Sequence, residues 1–194
     1  MKTVNKNNVC EEFVTALNDI VAYKDKCKSA FADNKKYLSY CYEYSIIMTY
    51  KAFERFLLRI MISCLNHDHS VFEKKNSISL GRHINDDVCE FLITKGGFFD
   101  FKGRDGLCKV INNTIGKNHV IAKTIKNSNY KNTIEQLCAI RNFAAHNSRQ
   151  SKAAAAEAFR LKRISSAGSC LKQNGRFDSI IAHLIALSND IKSI

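Results

Sequence analysis

Proline and tryptophan are both absent from the 194 residues. At average usage of about 5%, roughly ten prolines would be expected. Their absence removes the commonest helix breaker and points to long uninterrupted helices. It also excludes a Pro-rich linker, a polyproline stretch and a collagen-like repeat. No Cys-x-x-Cys occurs, and none of the eight cysteines lies within four residues of another, so the paired ligand spacing of a zinc knuckle is missing. Neither a Walker pattern nor a GxGxxG run is present, and Gly103-Arg104-Asp105-Gly106 is too short for a phosphate loop. The richest apolar stretch, Ile46–Leu65, is interrupted by Tyr50, Lys51, Glu54, Arg55 and Arg59 and does not read as a membrane span. The polar run Met1–Asn8 has no apolar core of the kind a signal peptide needs. Most cysteines stand beside Val, Leu, Ile or Phe, which fits buried free thiols of a reduced, cytoplasmic protein.

What is present is an ordinary apolar fraction, 45%, on a chain long enough for one domain with a core of its own. The charge is unusual. Lys and Arg number 30 against 18 Asp and Glu, a net +12. Residues 1–101 hold 14 basic and 13 acidic residues, whereas residues 102–194 hold 16 and 5. An excess gathered in one half is the footprint of a polyanion partner, most simply nucleic acid. Solubility alone is the plainer account of such charge.

Apolar residues recur near a 3.6 period. A first helix is expected from a cap at Asn7 or Asn8 to about Phe31, then a turn at Asp33-Asn34. A second, long helix should cover about Lys36 to Leu65, apolar over most of its girth and therefore central. Short helices are expected at about Ile84–Thr94 and Asp105–Ile115, separated by the Lys95-Gly96-Gly97 stop and an aromatic loop, Phe98–Gly103. Asn66–Ser79, Lys117–Asn129 and Ser165–Gly175 read as polar, irregular connections. Helices are expected again at about Tyr130–Asn147, Lys152–Leu161 and Phe177–Lys192. No strand alternation of useful length occurs. The fold class is all-α, a single helical bundle with short helical insertions; residues 8–150 form its core and 151–194 a C-terminal helical segment that is either added to the bundle or completes it.

The sharpest chemical signal is Arg141-Asn142-Phe143-Ala144-Ala145-His146. On a helix, five positions separate the Arg and His by about 140° and about 7.5 Å, so their tips flank one face and can reach one phosphate. Arg supplies a fixed forked cation, and His is the side chain suited to moving a proton near neutral pH. Asn142 and His146 are four apart, so the amide can orient the imidazole. With no acidic ligand cluster beside them, the pair suits metal-free cleavage of RNA, in which the 2′-hydroxyl attacks the neighbouring phosphorus. The plainer alternative is an exposed Arg and a His at the favourable C-terminal end of a helix. Lys123, Lys126, Lys131, Arg149 and Lys152 belong to a basic series around this helix and are the candidate track for an RNA backbone. Phe98, Phe99 and Tyr130 are candidate base-stacking residues. His67-Asp68-His69 lacks a third ligand within reach and reads as a solvated turn, so no metal is expected.

The string Arg-Asn-Phe-Ala-Ala-His on a strong helix of a basic all-α chain resembles the signature of the HEPN superfamily: an Arg, four to six residues, and a His, often with a polar residue after the Arg. Tyr50-Lys51-Ala52-Phe53-Glu54-Arg55-Phe56-Leu57 is similar to the aromatic–Glu–aromatic segment of many prokaryotic members. The Gly96–Asp100 region is similar to the insert of the RiboL-PSP-type branch. The resemblance implies a helical bundle that forms a homodimer, with Arg and His of both protomers in one composite cleft. It implies a metal-independent endoribonuclease, without cofactor, in a toxin–antitoxin or antiviral setting, acting on RNA such as tRNA or mRNA and restrained by an antitoxin or regulatory partner. Arg141 would then hold the scissile phosphate, His146 transfer protons, Asn142 position them, and Glu54 support Arg141 or His146 by a charge-assisted hydrogen bond. Glu54 as a surface partner of Lys51 or Arg59 is the competing assignment. Some members carry a Tyr two residues after the His, which a partner nucleotidyltransferase modifies; Ser148 stands there, which argues against that route of silencing. The alternative for the whole chain is a non-catalytic HEPN-type module that binds RNA or a nucleotide, or regulates a partner.

Overall fold

The computed structural model describes residues 4–194; the first three residues of the polar N-terminal run lie outside the described part. Ten helices and no strand occur among the described residues. Helix α1 (Lys6–Ala30) is capped not by Asn7 or Asn8 but by Asn5, whose Oδ1 accepts from the backbone N–H of both, the stronger way to satisfy two orphan donors. Asn34 caps α2 (Lys35–His67), the 33-residue centre of the fold. The short joint makes α1 and α2 antiparallel, as the pairs Phe31–Tyr37, Tyr23–Tyr44 and Phe13–Phe56 register. Glu12 ion-pairs with Arg59 at the far end of this hairpin.

Three stretches expected to be irregular contain short helices: α3 (Ser70–Asn76), α6 (Val120–Lys126) and α9 (Ala167–Leu171). Tertiary burial forms them. Phe72 packs into a small cluster with Ile62, Leu65 and Cys89. Ile121, Ala122 and Ile125 enter the main core, as do Ala167, Cys170 and Leu171. Between these pieces run α4 (Asp86–Thr94), α5 (Gly103–Thr114), α7 (Ser128–His146), α8 (Arg149–Ala158) and α10 (Arg176–Ser193), within a few residues of the expected positions. Helix α4 ends on left-handed Lys95, as the Lys-Gly-Gly stop implied.

Helix α2 is packed by α1 on one side and by α7 and α9 on others, while α10 bridges α1 and α7. One continuous core runs from Val9 to Ile191 and takes in Ala155, Ile180, Leu184 and Leu187, so the C-terminal segment completes the bundle. Each fully buried Leu, Ile or Phe adds about 1.5–3 kcal/mol to stability. Buried polar groups are answered locally: the Ser45 and Thr49 hydroxyls donate to the carbonyls of Cys41 and Ser45, each at 2.8 Å. Lys24, 5% exposed, is held by Asp25 and Asp178, each at 2.9 Å. Helix α9 seats Gly168 where an added Cβ would lie 2.0 Å from the Ser39 carbonyl oxygen, and the Gly168 N–H donates to Glu43 at 3.1 Å. Seven of the eight thiols are buried and all eight are free; Cys108 is half-buried. No helix of the described residues is long and apolar enough to cross a membrane.

Candidate functional site

Helix α7 turns Ile134, Leu137, Ile140 and Phe143 into the core. That register leaves Arg141 half-buried at the edge of the α2–α7 seam. Its guanidinium carbon lies 4.4 Å above the centre of the Tyr50 ring. At this distance the ring face holds the cation and fixes the plane of its donors. The Arg141 Nη1 also donates to Asn142 Oδ1 at 2.9 Å. Asn142 therefore engages Arg141 and forms no hydrogen bond with His146 among the described residues.

Helix α2 supplies the other half of the site through Tyr50 and Glu54, one turn apart. The Tyr50 ring is buried and backed by Phe101 at 5.7 Å, which packs on Phe53 and Phe99. The aromatic loop thus folds back onto the core through Phe101, while Phe98 stands 99% exposed. Burial raises the Glu54 carboxyl above the usual carboxylate range; the Arg141 charge opposes this and Asp100 adds to it, and the Tyr50 hydroxyl and Lys51 pull the other way. Burial likewise raises the Tyr50 phenol, with Cys138 and Glu54 adding to the effect. The Cys138 thiol, one turn before Arg141, is pushed up to about 12 by burial despite the nearby Arg141 charge. Glu54 thus sits in the electrostatic field of Arg141 without a direct ion pair among the described residues. Arg59, the other candidate partner of Glu54, is occupied by Glu12.

His146 is the last residue of α7 and is exposed. Asn147 follows in the left-handed conformation, and Ser148 caps α8 through a reciprocal capping box with Ser151. No side-chain hydrogen bond holds the imidazole among the described residues, and none joins it to Arg141. Arg149 and half-buried Lys152 start the next helix beside it. The rest of the predicted track lies elsewhere. Lys131 is in the first turns of α7, about 22 Å along the axis from His146. Lys123 is exposed on α6. The Lys126 amine donates to Asn112 Oδ1 at 2.9 Å and to the Lys117 carbonyl at 3.2 Å, tying α6 to α5. Tyr130 is buried and its hydroxyl donates to Asp190 at 2.5 Å, so it offers no ring face to a base, contrary to the expectation above.

Tyr50, which in sequence stands only as part of the aromatic–Glu–aromatic segment, is the ring under Arg141, and Asp100 is near enough to act on the Glu54 charge. The Tyr50–Glu54 spacing was visible, but its pairing with Arg141 is a contact through space. Among the described residues, no group of three or more His, Cys, Asp or Glu is arranged to hold a metal ion. The arrangement offers an oriented cation, a carboxylate in its field and an imidazole at the helix end. No family model, no curated protein and no solved structure matches this chain.

Proposed function

We propose that this chain is a metal-independent endoribonuclease of HEPN type, a defence effector or toxin whose active site is completed by a second copy. The observation that carries the reading is the clamped Arg141 guanidinium, stacked on Tyr50 in the field of Glu54, on the helix that ends in a free His146. Arg141 donates to the non-bridging oxygens of the scissile phosphate and stabilises the charge that builds on them. One imidazole removes the proton of the attacking 2′-hydroxyl. Another proton is delivered to the departing 5′-oxygen, by the second copy of His146 in a composite cleft. The products are a 2′,3′-cyclic phosphate and a 5′-hydroxyl. Arg149 and Lys152, beside His146, hold the flanking backbone; Lys123, Lys126 and Lys131 are assigned to a more distant part of the RNA.

The second reading, a non-catalytic module that binds RNA or a nucleotide, draws on one observation: no side-chain hydrogen bond orients the His146 ring among the described residues. The test is cleavage of total tRNA and of mRNA in EDTA by the wild type, Arg141→Ala and His146→Ala. Cleavage by the wild type with cyclic-phosphate ends, reduced about 100-fold or more in either variant, supports the enzyme. Cleavage abolished by chelator, or unchanged in both variants, removes it. RNA binding without cleavage selects the module.

A further inference from the structure

Four of the seven tyrosines are 41–53% exposed, and they stand together. Tyr37, Tyr40 and Tyr44 fall on one face of α2, and Tyr23 of α1 meets Tyr44 edge-on with centroids 5.4 Å apart. Exposed rings of this size in a row are uncommon without a partner. At 100° per residue the same face of α2 continues to Lys51 and Arg55, all five side chains falling within a sector of about 60°. Both cations are exposed, and neither is in an ion pair among the described residues. Beside this second half of the stripe, α1 and α2 leave a groove of about 600 Å³, floored by Phe13, Ala52 and Phe56. Asp19 lies across it from Arg55, and Glu12 is taken up by Arg59.

We infer that this face of α2, with Tyr23, is a binding track for single-stranded RNA that leads strand into the Arg141 site. The inference rests on the reading of that site as one that acts on RNA. Three features select this occupant. The stripe is tyrosine with no exposed Leu, Ile or Val among the described residues, so it offers ring faces for bases but little aliphatic surface for a protein. Cations accompany the rings: Lys36 lies 5.9 Å over Tyr40, and Lys51 and Arg55 prolong the stripe. The stripe also adjoins the candidate site, because Lys51 and Glu54 stand three residues apart on α2, about 60° around its axis. Unpaired bases stack on the rings and phosphates run past the cations; the apolar groove takes a base on the α1 flank of the stripe, and Tyr50 and Glu54 lie on its other flank. A duplex, whose bases are already stacked inward, cannot use the rings.

The test measures binding, separately from cleavage, in the His146→Ala background. A fluorescein-labelled oligouridylate and a labelled RNA duplex are titrated by anisotropy at fixed salt. Tyr37→Ala/Tyr40→Ala/Tyr44→Ala is expected to weaken single-strand binding at least tenfold and leave duplex binding within about twofold. Tyr37→Phe/Tyr40→Phe/Tyr44→Phe, which keeps the ring faces, is expected to stay within about threefold of the parent. Melting curves of both triple variants identify any loss caused by unfolding. Unchanged oligouridylate binding by the folded alanine variant overturns the inference. So does equal loss in the phenylalanine variant, or a change from dimer to monomer in the alanine variant, which would make the face a contact between copies. Single-strand binding through the tyrosines in a protein that never cleaves RNA would remove the enzyme reading and leave the track.

Discussion

The Arg141 guanidinium carbon lies over the Tyr50 ring, 4.4 Å from its centre, and so couples the helix that carries the Arg–His string to the central helix. A buried or half-buried pair of this kind contributes about 1–2 kcal/mol beyond packing. Tyr50→Leu is expected to lower stability by about 2–3 kcal/mol, or roughly 4–12 °C in Tm. Tyr50→Phe keeps the ring face and is expected to cost under about 1.5 kcal/mol. Thermal denaturation of the two variants separates ring from hydroxyl.

His146 carries no stability burden. It is exposed at a helix end and its ring has no hydrogen-bond partner among the described residues. His146→Ala is expected to change unfolding free energy by no more than about 0.5 kcal/mol in urea titrations. If the proposed chemistry holds, the same variant loses cleavage about 100-fold or more, so activity and stability part company.

Glu54 links stability to pH. Burial first, then Asp100, raises its carboxyl above the usual range, with Arg141 opposing. The folded protein therefore binds that proton more tightly than the unfolded chain. Its ionisation costs stability, and the cost grows as pH rises from the unfolded carboxyl's range through the folded one. Glu54→Gln is expected to raise Tm at neutral pH relative to the wild type and to lose that advantage in acid, below the ordinary carboxylate range. Melting curves at acid and neutral pH, taken on both proteins, read the sign. A lower Tm for the variant at neutral pH would mean that the Arg141 attraction outweighs burial.

Gly168 is a steric requirement. A methyl there would meet the Ser39 carbonyl at 2.0 Å, in contact with backbone rather than a movable side chain. Gly168→Ala is expected to cost at least about 3 kcal/mol and to lift α9 from α2. Amide exchange at residues 39–43 and 167–171 should then rise.

The C-terminal segment is part of the core. Leu184 is 1% exposed on α10. Leu184→Ala is expected to cost about 3 kcal/mol in a single cooperative transition that includes α2. A separate early transition for the C-terminal helices would refute their place in one core.

The long helices were legible because each carries enough apolar residues for the 3.6 period to show. Helices α3, α6 and α9, of seven, seven and five residues, were not. Each is too short for its period to emerge from polar neighbours, and each is held by burial of a few residues such as Phe72, Ile125 or Leu171. The site divides in the same way. Arg141, Asn142 and His146 are near in sequence, so their helical placement could be read. Tyr50 meets Arg141 across 91 positions, and Phe101 backs Tyr50 from a loop; no local pattern encodes either contact. Lys126 and Tyr130 show the converse, because composition marks a cation or a ring without telling whether Asn112 or Asp190 already occupies it.

The buried thiols turn the fold into its own set of opening reporters. They are distributed over α1, α2, α4, α7 and α9, and burial pushes those of Cys64 and Cys138 up to about 12 and that of Cys89 to about 11. A closed helix therefore protects its sulfur twice, by denying access and by withholding the thiolate. An alkylating reagent added to the native protein reads local opening helix by helix, with half-buried Cys108 setting the fast end of the scale. Cys138 sits one turn from Arg141, so its labelling rate times how often the α2–α7 seam parts, and a ligand that bridges the seam should slow that one clock while leaving the others running.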